Sequence, residues 1–144
     1  MEGQIVILGA GYGGLTVARE LGRALGKGTP GQVVLVDASA YHELKPKIPE
    51  AVGEWTDCAV RVPIQDVLAP YPGVRFVQAR VTGLDRVGRQ VLTDAGPIPY
   101  GRLVWALGSQ PDFAPGGTPI PGLAAFAIAP YTFGAACRLR HQVG

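Results

Sequence analysis

Gly9, Gly11 and Gly14 stand in the spacing G-x-G-x-x-G directly behind the apolar run Ile5-Val6-Ile7-Leu8. Each glycine has its own physical task at such a turn. Gly9 lets a strand reverse sharply, Gly11 removes a side chain so that backbone can approach a pyrophosphate, and Gly14 permits close packing of helix on strand. The free N–H groups of the first helical turn, from Gly11 through Tyr12 and Gly13 to Gly14, then face phosphate oxygens without help from a lysine. A P-loop would need G-K-[ST] behind its glycines, and that triplet does not follow them here. Asp37 supplies the matching acid after a second apolar run, Val33 to Val36. Its carboxylate is placed to accept the hydroxyls of an adenosine ribose, and its charge repels a 2′-phosphate. The pattern therefore favours FAD or NAD over NADP.

Other residues that could do chemistry are few. His42 has one histidine companion, His141, near the other end of the chain, so no histidine cluster for a metal exists and no metal ligand is assigned. A Ser-His-Asp hydrolase would have to recruit Ser39 or Ser109, and Ser109 does not sit in G-x-S-x-G. His42 reads instead as a structural or cofactor-adjacent histidine, and Glu50 as a residue that reaches a ligand or simply faces solvent. Gly108-Ser109, after the apolar run Leu103 to Leu107, is a second strand end where a cofactor could sit, because ligands of doubly wound sheets gather outside the carboxyl ends of strands. Cys58 and Cys137 lie far apart and form no C-x-x-C, which excludes a redox dithiol or zinc knuckle read from sequence.

The elements that must position these groups follow from periodicity. A strand over 4–8 precedes a helix with helical spacing over 15–25. That helix buries Leu15, Ala18, Leu21 and Leu25, widened by Val17 and Ala24, and turns Arg19, Glu20 and Arg23 to water. Glycines 26, 28 and 31 with Pro30 end it. Val33 to Val36 is continuously apolar, as a parallel strand covered on both faces should be. Residues 38–54 read as loop with short helix, 63–68 as a short helix with proline at its start, and 74–77 as a strand. Residues 78–92 carry antiparallel β-structure, with a turn at Asp94-Ala95-Gly96. Leu103 to Leu107 is expected as another buried strand, 111–122 as an extended loop with four prolines and three glycines, and 133–141 as a helix.

The bulk composition sets bounds. The 144 residues are 47% hydrophobic and 17% charged, which provides a real core and excludes a disordered tail. The formal charge of +2 comes from scattered basic residues without aromatic interleaving, so no nucleic-acid partner is expected. No run approaches the ~20 apolar residues of a membrane span, and Glu2 with so short a first apolar run excludes a signal peptide. A reducing cytoplasmic setting is the default.

Taken together, Ile5 to Gly14, Asp37, the segment His42-x-x-x-Pro46, Val74 to Val77 and Leu103 to Ser109 resemble the N-terminal part of the FAD-dependent pyridine nucleotide oxidoreductases, and most of all the type II NADH:quinone dehydrogenases. The resemblance implies an α/β, Rossmann-like FAD/NAD(P)-binding domain, incomplete, with a central parallel sheet and a small antiparallel meander. It implies FAD as cofactor, held by Gly9, Gly11, Tyr12, Gly13, Gly14 and Asp37, with His42, Pro46 and Glu50 near the flavin and Gly108 packed close to the cofactor. It assigns no catalytic residue, since the cofactor carries hydride transfer. Residues 1–144 would be the N-terminal part of the FAD domain, with the NADH-binding domain absent. The isolated chain would then be inactive, while a full-length parent would use NADH and a quinone, peripherally at the cytoplasmic face of a membrane. Surface left by a missing domain implies self-association. Two other readings stay open: a non-enzymatic nucleotide-binding or assembly domain, and a fragment of a sulfide:quinone or ferredoxin reductase. Lys47-Ile48-Pro49 departs from the more apolar sequence usual after the family's proline, and Ala129 to Thr132 from its usual polar helix start.

Overall fold

The computed structural model describes residues 3–26, 32–53, 60–114 and 118–143. The chain divides into two compact units, one of Met1–His42 with Pro63–Gly108 and one of Glu43–Val62 with Ser109–Gly144.

In the first unit, β1 (Ile5–Leu8), α1 (Tyr12–Leu25) and β2 (Val33–Asp37) form the expected βαβ start. Further along come α3 (Ile64–Leu68), β5 (Val74–Gln78), β6 (Val81–Asp85), β7 (Gln90–Thr93), β8 (Ile98–Pro99) and β9 (Arg102–Trp105). Four strands make a parallel sheet in the order β5-β2-β1-β9, and β6, β7 and β8 make a separate antiparallel one. From β1 the chain steps outward to β2 and β5, then returns to the other side of β1 as β9. The strand order thus reverses between β1 and β9. This is the topological switch point at which α/β sheets bind ligands.

The uniform burial of β1 and β2 has a two-sided cause. Ile7, Val33 and Leu35 point to the side covered by α1 and α3, where Leu15, Ala18, Ile64 and Leu68 pack. Val6, Leu8, Val34 and Val36 point to the other, where Ala79, Val91 and Ile98 close a second core. The period-2 alternation of a strand gives each face its own set of side chains, so a strand covered on both faces reads as continuously apolar. Each such fully buried aliphatic side chain is worth roughly 1.5–3 kcal/mol.

Several expectations need correction. The helix starts at Tyr12, so three of the fingerprint's positions lie inside its first turn. Ala24 is exposed, while Gly22 is buried in its place against Tyr71 and Val74. The strand expected as buried over 103–107 ends at Trp105. It forms an edge of the parallel sheet, leaving Trp105 64% and Leu107 43% exposed. On the surface beside Gly22, Arg19 Nε donates to the Tyr71 hydroxyl at 3.5 Å and holds that phenol below its ordinary pKa. Glu20 and Arg23 form an ion pair one turn apart.

A separate two-stranded sheet pairs β3 (Tyr41–Glu43) with β4 (Arg61–Pro63). The second unit holds a 3₁₀ turn at Lys45–Lys47, α2 (Glu50–Gly53), α4 (Leu123–Phe126) and α5 (Phe133–Val143). Its small core is Ile48, Ala51, Val60 and Ala136. Glu43 ties it together. One carboxylate oxygen accepts from the Phe133 N–H at the start of α5 at 3.1 Å, and the other from Lys45 Nζ at 2.8 Å. Lys45 Nζ also donates to the Tyr131 carbonyl at 2.9 Å. Strand β3 and helix α4 were not anticipated, and Cys58 lies outside the described residues.

A Cβ at Gly22 would stand 2.9 Å from Tyr71 Cβ and 3.0 Å from Val74 Cγ2, atoms close to backbone that cannot swing away. At Gly14 it would overlap the backbone carbonyl oxygen of Gly9. Gly22→Ala gains ~1 kcal/mol of helix propensity and loses ~1–3 kcal/mol to overpacking, so a net loss is expected. Gly14→Ala, blocked by the Gly9 backbone carbonyl, should lose clearly more. Urea unfolding of the two variants checks the order, and equal midpoints would contradict it.

Candidate functional site

The candidate site is the turn between β1 and α1, at the switch point. Gly9 adopts φ +94°, the left-handed region that favours glycine. A Cβ there would also collide with the carbonyl oxygen of Ala106, just after β9. The ends of β1 and β9 and the first turn of α1 therefore meet backbone to backbone. Gly11 and Gly13 are different. Nothing lies within 4 Å of a Cβ built at either position. Gly11 is the N-cap of α1, its φ of −71° is open to any L residue, no side chain caps the helix, and its first turn carries no acidic residue. The N–H groups of that turn lack intrahelical partners, and they look onto open, exposed space at Gly11, Tyr12 and Gly13.

Asp37 ends β2 beside this turn. Its Oδ2 accepts from the Ala10 N–H at 2.7 Å and its Oδ1 from the Ser39 N–H at 2.8 Å. A carboxylate offers about four acceptor positions, so both oxygens keep capacity for hydroxyl donors. His42 is 7% exposed, with Nδ1 2.9 Å from the Ala10 carbonyl oxygen. Its ring meets Tyr12 edge-on, centroids 4.8 Å apart. Gly108 adopts φ +73° with open space around it.

The structure thus brings Gly9, Gly11, Tyr12, Gly13, Gly14, Asp37 and His42 into one locality. Pro46 and Glu50 belong to the second unit, where both are exposed. Sequence reasoning placed the strand end Ala106-Leu107-Gly108 near the cofactor but missed Ala10 and the backbone role of Ala106. Ala10 has both its N–H and its carbonyl bound by side chains, and Ala106 supplies the backbone against which Gly9 rests. A small residue inside the fingerprint and another at a strand end are the only traces either leaves in sequence.

The residues fit an adenine dinucleotide. An uncapped helix start suits a pyrophosphate, a glycine cradle would let it approach, and an acid at the end of the second strand suits a ribose. Among the described residues no group of three or more His, Cys, Asp or Glu could hold a metal, and no helix is long and apolar enough to cross a membrane.

Comparison with known proteins agrees with this geometry. Residues 3–142 match the family described as pyridine nucleotide-disulphide oxidoreductase. An NADH dehydrogenase-like protein of Mycobacterium tuberculosis is 35% identical over 146 residues, covering 97% of this chain and 34% of the relative. A type II NADH:quinone oxidoreductase of Staphylococcus aureus is 34% identical over 106 residues, covering 73% and 26%. The chain spans about a third of the length of these relatives or less. The sulfide:quinone oxidoreductase of Aquifex aeolicus shares the fold, with a TM-score of 0.81 at 22% identity over 97% of this chain and 31% of that one. With the glycine turn, the acid of β2 and the strand-order reversal in one place, the chain belongs to the pyridine nucleotide-disulphide oxidoreductase family, as an FAD-binding redox domain similar in sequence to NADH dehydrogenase-like and NADH:quinone oxidoreductase proteins.

Proposed function

We propose that this chain is the N-terminal part of the FAD-binding domain of an NADH:quinone-type oxidoreductase. The observation that carries the cofactor assignment is Gly11. Its neighbours within the protein leave room for a side chain and its backbone dihedral tolerates one, so the glycine serves something outside the chain. The uncapped N–H groups beside it supply the reason, a pyrophosphate brought close to the backbone. The donor and acceptor rest on the names of the relatives, an NADH dehydrogenase-like protein and an NADH:quinone oxidoreductase.

When bound, FAD supplies acceptance of hydride from a reduced nicotinamide and delivery of electrons to the acceptor. The chain's own residues bind and orient. The first turn of α1 holds the pyrophosphate, Asp37 takes the ribose hydroxyls with its remaining lone pairs, and Gly108 leaves space at the neighbouring strand end. Pro46 and Glu50 are assigned to the flavin neighbourhood by resemblance alone. These residues carry one glycine fingerprint, and hydride transfer needs two dinucleotides in register. The 144-residue chain by itself is therefore proposed to bind cofactor without turning over NADH.

A second reading keeps this site and changes the parent, to a sulfide:quinone or ferredoxin reductase or to a nucleotide-binding module without turnover. Sulfide chemistry calls for reactive cysteines at the flavin. Cys137 is a free, half-buried thiol of α5, and nothing places it in that role.

Equilibrium titration of the 144-residue chain should show FAD bound at least tenfold more tightly than NAD, with a yellow complex. Equal or preferred binding of NAD or ADP would point to the nucleotide-binding module. Gly11→Ser is a sharper test. Serine is a good N-cap and its Cβ meets no clash here, so the unfolding midpoint should hold or rise slightly, by about a few tenths of a kcal/mol of stability. FAD affinity should fall about tenfold or more, because the hydroxyl takes an N–H meant for phosphate. Unchanged affinity would sink the assignment. Asp37→Asn should weaken FAD and narrow the preference for NAD over NADP, since it removes the charge that repels a 2′-phosphate. A preference ratio that stays the same would show that the carboxylate does not face the ribose.

A further inference from the structure

Ala10 is the one residue of the glycine turn held by side chains at both of its backbone groups. Its N–H donates to Asp37 Oδ2 at 2.7 Å, and its carbonyl oxygen lies 2.9 Å from His42 Nδ1. A carbonyl can only accept, so Nδ1 carries the proton in this pair. The segment between the two partners is itself tied down. The Ser39 hydroxyl donates to the Tyr41 carbonyl at 2.9 Å and accepts from the Tyr41 N–H at 3.0 Å. The Ala40 carbonyl accepts from the Ile64 N–H at 2.9 Å. One short strap from the end of β2 to β3 thus grips one turn residue with an acid at one end and an imidazole at the other.

The consequence follows from planar peptide geometry. In a trans peptide the C=O and the next N–H point in opposite directions, and the described chain contains no cis bond. Binding the Ala10 N–H to Asp37 turns the Gly9 carbonyl the other way, toward the space that Gly14 leaves by lacking a Cβ. Binding the Ala10 carbonyl to His42 likewise turns the Gly11 N–H away from the imidazole, toward the open side of the helix start. Two successive peptide planes are therefore each fixed by one side chain.

We infer that His42 is a positioning residue for the pyrophosphate: it acts through the Ala10–Gly11 peptide, aiming the Gly11 N–H, and its ring nitrogen Nδ1 is spent on the protein instead of the cofactor. This rests on the FAD reading above. An imidazole buried and edge-on to Tyr12 is rigid, which lets it hold a peptide plane before ligand arrives. The effect belongs to phosphate recognition and not to adenosine, because the aimed donor lies at the helix start.

The test compares His42→Asn, His42→Gln and His42→Leu in the 144-residue chain, with ADP and adenosine as probes. Asparagine carries an amide nitrogen on Cγ, as histidine carries Nδ1, whereas glutamine places its amide one bond further out. His42→Asn should bind ADP within about threefold of wild type. His42→Gln and His42→Leu should lose about tenfold for ADP and less than twofold for adenosine. Equal losses for both probes would reduce His42 to a structural role, and no loss in either variant would remove it altogether. If His42→Leu does not fold, the Asn/Gln contrast still decides. The imidazole ¹⁵N resonances of the wild type give a readout without ligand: they should show Nδ1 protonated, and the opposite tautomer overturns the inference. A wild-type chain that binds neither ADP nor FAD overturns the FAD reading beneath it, whereas wild-type binding with unaffected variants overturns the inference alone.

Discussion

Three stretches of main chain crowd together at the carboxyl end of β1, and they leave no room there for a side chain. Gly9 rests on the Ala106 carbonyl, and Gly14 on the carbonyl of Gly9. This contact fixes where α1 begins, how it leans on the sheet and how closely β9 follows β1. The cores on either face of the sheet then fill around that arrangement. Ile7 and Leu35 are buried with α1 and α3, and Val6 and Val36 with the antiparallel sheet. A methyl group at the junction would push apart elements that the apolar side chains pull together, and close-packed interiors do not absorb such shifts cheaply.

The candidate ligand locality lies beside the same crowding. The first N–H groups of helix α1 lack intrahelical partners, as at every helix start, and no side chain caps them. The strap from Asp37 to His42 then orients the backbone that leads into it. Polar work at this site is done almost entirely by main chain, with side chains in supporting roles. That division suits a domain whose bound group brings its own reactivity, because the protein then has to hold and aim more than it has to react.

Much of this was legible in the residues. The fingerprint, the run Val33 to Val36 and the acid behind it carry strong local signals, and the sheet and its parallel strands appear where those signals stand. What escaped was set by tertiary context. Trp105 continues an apolar run, so periodicity alone counts it as buried. Only the strand order reveals that β9 lies at an edge. Ala24 has the right spacing for the core stripe but faces outward, and Gly22, which offers no hydrophobic signal, takes the buried place beside Tyr71. Strand β3 is three residues, Tyr-His-Glu, too short and polar for a period-2 pattern to register. The grip on Ala10 could not be read at all, since what Asp37 and His42 hold there are backbone groups that every residue possesses.

The four glycines of the turn divide into two kinds, and that division has a history written into it. Gly9 and Gly14 are demanded by the chain's own folding, whereas nothing in the described fold requires glycine at Gly11 or Gly13, where the proposed cofactor supplies the reason. A descendant released from its cofactor would keep the first pair for as long as it folded, while the second pair drifted to other residues. Reading which half of the fingerprint survives in a diverged copy would separate inheritance of the scaffold from retention of the ligand.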